Sequence, residues 1–223
     1  MLCTMVDAQT ILVDFHGNDN NGLTTSTSSD FAANDSAIDL SAVVNNIDAD
    51  AGATDAAIAG VGLDALLTID SGTGFNAPGG VFPGDAILSD YLVGNGADAA
   101  FTLTGLEEIA AGSTITLVGY SHGDQPDQVA DLILDINEGG SVTSLDSPVT
   151  SEAVPFNTFT CTTTAALTSL TLTADNEGEG GPFAAINGFS LPVVAPAPAI
   201  PEPSSLALLG LAGLGLVSRR KRS

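Results

Sequence analysis

Short apolar runs recur along most of the chain, separated by clusters of Gly, Asn, Asp and Ser. Residues 10–15 (TILVDF) are followed at once by the turn-forming stretch 17–22 (GNDNNG), which is how a strand and its turn read in sequence. Residues 101–104 and 114–118 alternate Thr with Phe, Leu, Ile and Val, and 155–161 and 167–173 do the same. That period of two places apolar side chains on one face of a half-buried strand. Runs at 63–69, 86–93 and 184–191 are also read as strands, and 129–136 fits a strand or a helix. Residues 49–60 read as one short helix, and no other capped helix stands out. Many short strands with turn residues between them predict an all-β fold, an antiparallel β-sandwich or jelly roll, in a single domain over residues 9–191.

The pattern changes after Leu191. Prolines at 192, 196, 198, 201 and 203 resist helix and sheet and make 192–203 an extended linker. Residues 204–218 then form an uncharged segment in which Leu206 to Val217 is wholly apolar plus Gly and Ser204, Ser205 and Ser218 flank it, and Arg219, Arg220, Lys221 and Arg222 follow directly. The segment is shorter than the ~20 residues that usually span a bilayer. It is nevertheless apolar on every face, and the basic cluster behind it fits retention on the cytoplasmic side. It is expected to be one short C-terminal transmembrane helix with residues 219–223 as a basic cytoplasmic tail. At the other end, residues 1–8 lack a basic start and a full apolar stretch. Val6-Asp7-Ala8 before Gln9 has the shape of the end of a cleavage site, so 1–8 are expected to be the remnant of a signal peptide whose true start lies upstream.

Pro201-Glu202-Pro203, the apolar run and the terminal Arg/Lys cluster, in that order, resemble the PEP-CTERM sorting signal. That resemblance implies recognition by an exosortase, a transient stay in the inner membrane of a Gram-negative bacterium, and cleavage near the triplet. Release to the cell surface or exopolysaccharide matrix of a biofilm would follow. The body resembles domains often found on such proteins: Val13-Asp14-Phe15, Thr104-Gly105-Leu106 and Ile186-Asn187-Gly188-Phe189 stand where those domains carry similar residues. Such bodies look like galactose-binding-type jelly rolls.

Charge narrows the choice of partner. The formal net charge is -23, with 27 acidic residues and only 4 Lys and Arg. All four basic residues lie at 219–222, so the body has none. Phosphate neutralisation needs Lys and Arg, which excludes nucleic acid as a partner. Cys3 falls in the segment expected to be removed, which leaves Cys161 as a single small filler or exposed thiol.

Three motifs carry candidate chemistry. Gly119-Tyr120-Ser121-His122-Gly123 has the form of a nucleophile elbow after a strand, which would make the chain a secreted serine hydrolase using Ser121. A triad, however, needs a His downstream, and none follows His122. The pentapeptide reads better as a strand ending in a loop, and the protein as no enzyme. Glu107 and Glu108 are adjacent in a turn, and catalytic carboxylates need distinct environments across a cleft. Asp48, Asp50 and Asp55, with Gly52 between them, resemble part of a calcium loop without its closing Glu. Asn18, Asp19 and Asn20 form a second oxygen-rich stretch. Calcium is therefore the one candidate cofactor. The expected protein is an exported, acidic β-domain that binds extracellular polysaccharide or serves as a structural adhesion module.

Overall fold

The computed structural model describes residues 9–17, 26–34, 38, 40–59, 63–76, 82, 85–123, 128–176 and 183–194. The possible signal remnant at 1–8, the stretch 18–20, and the linker, apolar segment and basic cluster beyond 194 lie outside them. Among the described residues no helix is long and apolar enough to cross a membrane.

The described residues form fourteen strands and one helix, in chain order: β1 Gln9–His16, α1 Ser28–Asn34, β2 Val44–Asp48, β3 Ala56–Ala57, β4 Leu66–Ser71, β5 Thr73–Asn76, β6 Asp90–Asn95, β7 Ala99–Thr104, β8 Thr114–Tyr120, β9 Asp131–Glu138, β10 Ser141–Asp146, β11 Phe156–Thr162, β12 Leu167–Asp175, β13 Phe183–Ile186 and β14 Gly188–Val194. They build three sheets, ordered β11-β8-β14-β1-β2, β10-β9-β12-β7-β4-β3 and β13-β6-β5. All pairs are antiparallel except β1 with β2.

The two larger sheets face each other across one core. Strand β9 alternates as the sequence dictates, with Leu132, Leu134 and Ile136 buried and the residues between them half-exposed. Ile11, Val13 and Phe15 of β1 meet Phe101 and Leu103 of β7 and Leu170 and Leu172 of β12. The contact is aromatic at its centre. Phe101 packs on Phe15 at 5.2 Å and stacks on Phe189 of β14 at 4.8 Å. Leu12, Val118 and Tyr120, on the reverse face of the five-stranded sheet, form a second cluster with Phe31, Ile38, Ile87 and Leu88.

The fold corrects several expectations. Residues 49–60 are not a helix: they hold bends and the two-residue β3. Asp48 Oδ1 accepts from the Asp50 and Ala51 N–H groups, and Gly52 and Asp55 adopt positive φ (68° and 51°), which no helix accommodates. The helix that does form, α1, begins with a capping box: Asp30 Oδ2 accepts from the backbone N–H and the hydroxyl of Thr27, each at 2.7 Å, as S/T-x-x-D/E sequences do. Residues 129–136 resolve as strand. The run 184–191 is two strands, not one, and β14 continues to Val194, three residues past the expected end of the body and into the expected linker. Pro192 is accommodated because the pairing of β14 with β8 is interrupted between Ser190 and Val193, so no ladder bond is asked of it there.

Candidate functional site

The end of β8 tests the nucleophile-elbow reading directly. Ser121 is fully buried, and its hydroxyl donates to the Ala185 carbonyl at 2.6 Å. His122 is also fully buried. Its Nδ1 lies 2.7 Å from the Gly123 carbonyl, and its ring meets Phe82 edge-on at 4.9 Å. The serine is thus spent on a structural bond, and His122 turns to its own loop. Neither the Ser121 bond to Ala185 nor the turn of His122 toward Gly123 gives the serine the base that a nucleophile needs.

The residue next in importance is Asn187, at the break between β13 and β14. Its Oδ1 accepts from the His122 N–H at 2.7 Å and its Nδ2 donates to the Asp90 carbonyl at 2.9 Å. Its own N–H donates to the Tyr120 carbonyl and its carbonyl accepts from the Phe15 N–H. One buried amide therefore ties β1, β6 and β8 together where the chain passes from the small sheet to the large one. At Gly188 the backbone passes so close to β1 that a Cβ would stand 2.4 Å from the Val13 carbonyl oxygen. The Asn-Gly pair in the sequence motif is thus an architectural joint.

Beside this joint lie two fully buried acids, Asp14 of β1 and Asp90 of β6. Burial pushes the Asp14 carboxyl well above the usual carboxylate range. Hydrogen bonding from Ser26 opposes this, and the charges of Asp90 and of Asp30 in α1 add to it. With no Lys or Arg in the body, no side-chain cation of high pKa offsets the pair. A raised folded-state pKa means that ionised Asp14 costs stability at neutral pH, and that the cost fades as pH falls through the folded-state value. Asp14→Asn keeps the shape and an acceptor for the Ser26 N–H. It is expected to raise Tm by a few degrees at pH 7, with the gain over the native chain shrinking as pH falls toward 4. Thermal unfolding of both proteins across that range checks this, and a gain independent of pH would contradict it.

The acidic loop is divided between roles. Asp48 caps its own turn, Asp50 Oδ1 accepts from the Thr73 hydroxyl at 3.3 Å, and Asp55 lies by the Thr68 hydroxyl across β4. Among the described residues no group of three or more His, Cys, Asp or Glu is placed to hold a metal ion. Glu107 and Glu108 are exposed turn residues. Cys161 is a free, half-buried thiol whose pKa burial and then the charge of Glu138 push up, the opposite of an activated nucleophile.

An exposed aromatic ring, missed in the sequence, stands beside this loop. Phe75 of β5 is 43% exposed and stacks at 5.3 Å on Tyr91 of β6, its cross-strand partner, which is 3% exposed. The backbone of β5 approaches the end of β1 so closely that a Cβ on Gly17 would meet Phe75 backbone atoms at 2.8–2.9 Å. A Cβ on Gly74 would lie 2.8 Å from the Asp50 N and 3.1 Å from Asp50 Oδ1. The sequence signal was weak, because Thr-Gly-Phe-Asn is too short and too glycine-rich to show a period.

Comparison with known proteins places the two ends of this picture. Residues 199–222 match the PEP-CTERM protein-sorting motif. No curated protein matches the chain in sequence. Among solved structures the body is similar to carbohydrate-binding modules. A TmCBM61 structure in complex with beta-1,4-galactotriose superposes with TM-score 0.37 at 13% identity, covering 57% of this chain and 86% of that one. A CBM35 from Cellvibrio japonicus Abf62 gives TM-score 0.35 at 21% identity, covering 59% and 96%. The family 32 module of C. perfringens NanJ in complex with galactose gives TM-score 0.37 at 15% identity, covering 57% and 92%. The sandwich itself stands on its own strand order and core.

Proposed function

We propose that this chain, as the bearer of a PEP-CTERM sorting motif, is an exported envelope protein that an exosortase cleaves near Pro201-Glu202-Pro203. The observation that carries the reading is the order of features in one terminal segment, 199–222: triplet, apolar run and basic cluster. The apolar segment at 204–218 holds the chain in the inner membrane, and Arg219, Arg220, Lys221 and Arg222 keep its end on the cytoplasmic side. Cleavage then removes all four Lys and Arg of this sequence. The released product is a polyanionic β-sandwich at the cell surface or in the extracellular matrix, where its task is to bind polysaccharide without catalysis. The buried Ser121 hydroxyl, committed to Ala185, supports a non-catalytic body, and the exposed Phe75 ring supports a sugar contact.

Expression in a host with its exosortase present or deleted tests the processing. Intact mass should show a product ending near the triplet when the enzyme is present and a chain ending at Ser223 when it is deleted. Glu202→Ala should leave the full C-terminus in both. Identical C-termini in the two hosts would overturn the reading.

A further inference from the structure

We infer that the face of β5 around Phe75 is a subsite for the sugar ring of an uncharged polysaccharide; this rests on the polysaccharide-binding reading above and names its site and ligand class. Three observations meet there. The Phe75 ring is exposed yet fixed, because it lies over the buried Tyr91 at an interplanar angle of 27°. Its position costs the protein little further ordering on binding, since the stack below and the tight backbone approach of Gly17 hold it. A pyranose presents a face of C–H groups, and the electron-rich face of an aromatic ring attracts such weakly positive hydrogens.

The second observation concerns hydroxyl groups. Residues i and i+2 of a strand share a face, so Thr73 and Phe75 point the same way, while Asp50, which accepts from the Thr73 hydroxyl, lies against the Gly74 side of the strand. The Thr73 hydroxyl, which gives its proton to Asp50, keeps lone pairs that accept hydrogen bonds, and sugar hydroxyls are donors. An aromatic platform with a hydroxyl two residues away on the same strand face supplies both kinds of contact that a sugar ring takes.

The third observation selects the ligand. The body has no Lys or Arg, and His16 and His122 are both buried. Burial also lowers the pKa of His16, against the opposing charges of Asp48 and Asp50. A uronate, sulfate or phosphate polymer would find no cation here and would meet the repulsion of the acidic body. A neutral hexose or pentose polymer meets neither obstacle.

Affinity electrophoresis of the full chain in gels containing β-1,4-galactan, dextran or xylan, and separately alginate or polygalacturonate with EDTA, tests the inference. Retardation is expected in at least one neutral gel and in neither anionic gel. Phe75→Ala should weaken the neutral interaction about tenfold with Tm held near that of the native chain, while Phe75→Trp should retain it. Retardation by anionic polymers alone would overturn the ligand class and leave polysaccharide binding intact. Neutral binding that Phe75→Ala leaves unchanged would overturn the site. Retardation in no gel would overturn the polysaccharide reading together with this inference.

Discussion

Asn187→Ala is expected to cost the domain about 2–5 kcal/mol, because it takes a side-chain hydrogen bond away from each of two buried backbone groups. The His122 N–H now donates to Asn187 Oδ1 and the Asp90 carbonyl now accepts from Nδ2. Each would remain in a site that is 0% exposed, where an unmet polar group costs roughly 1–3 kcal/mol. Asn187→Asp is a useful partner variant. It keeps an acceptor for the His122 N–H, loses the donor to Asp90 and brings a further acid toward Asp14 and Asp90. It should therefore be destabilised as well, and more at pH 7 than at pH 4. Equilibrium urea unfolding gives the stabilities, and a loss under about 1 kcal/mol for the Ala variant would mean that other groups hold the joint.

Phe101→Ala is expected to cost about 3–5 kcal/mol, the usual range for removing a buried aromatic ring from a core. Phe101 is 1% exposed and is the middle ring of three: Phe15 and Phe189 reach it from the opposite sheet. Removing it takes away both inter-sheet aromatic contacts at once and leaves a cavity that two rigid sheets cannot close. The same substitution at the exposed Phe75 should cost under about 1 kcal/mol. The contrast separates burial from aromaticity. Urea unfolding of the two variants side by side measures it, and equal losses would contradict the placement of the core.

The sequence made some of this legible through physical regularities and hid the rest for reasons that can be named. Strands β7, β8, β11 and β12 were readable because Thr and apolar residues alternate along them, and β1 because its apolar run, buried on both faces of the sheet, is followed by a turn-forming stretch. Strand β10 was missed because it is a sheet edge with almost every side chain exposed, which leaves no alternation to see. Strand β2, Val-Asn-Asn-Ile-Asp, is half-buried throughout, and its parallel pairing with β1 is a matter of tertiary structure. Helix α1 carried a capping box in Thr27 and Asp30, but its seven residues are too few to show an amphipathic period. The lesson of the pentapeptide at 119–123 is similar. Its spacing was right for a nucleophile, and only the missing downstream His argued against it; the bond from Ser121 to Ala185 is a long-range contact that no local pattern encodes. The sorting motif at 199–222 was legible because its signal is linear, whereas the exposure of Phe75 depends on a stack between neighbouring strands.

The pairing of β1 with β14, from Gln9 opposite Val193 to Asp14 opposite Gly188, bears on timing. A chain delivered N-terminus first exposes β1 long before its partner exists. That central strand stays open on one side until the last strand of the body emerges, and contacts so distant in sequence form slowly. The linker and sorting segment follow β14 directly. The body therefore cannot close until Gly188–Val194 has arrived, immediately ahead of the sorting motif at 199–222.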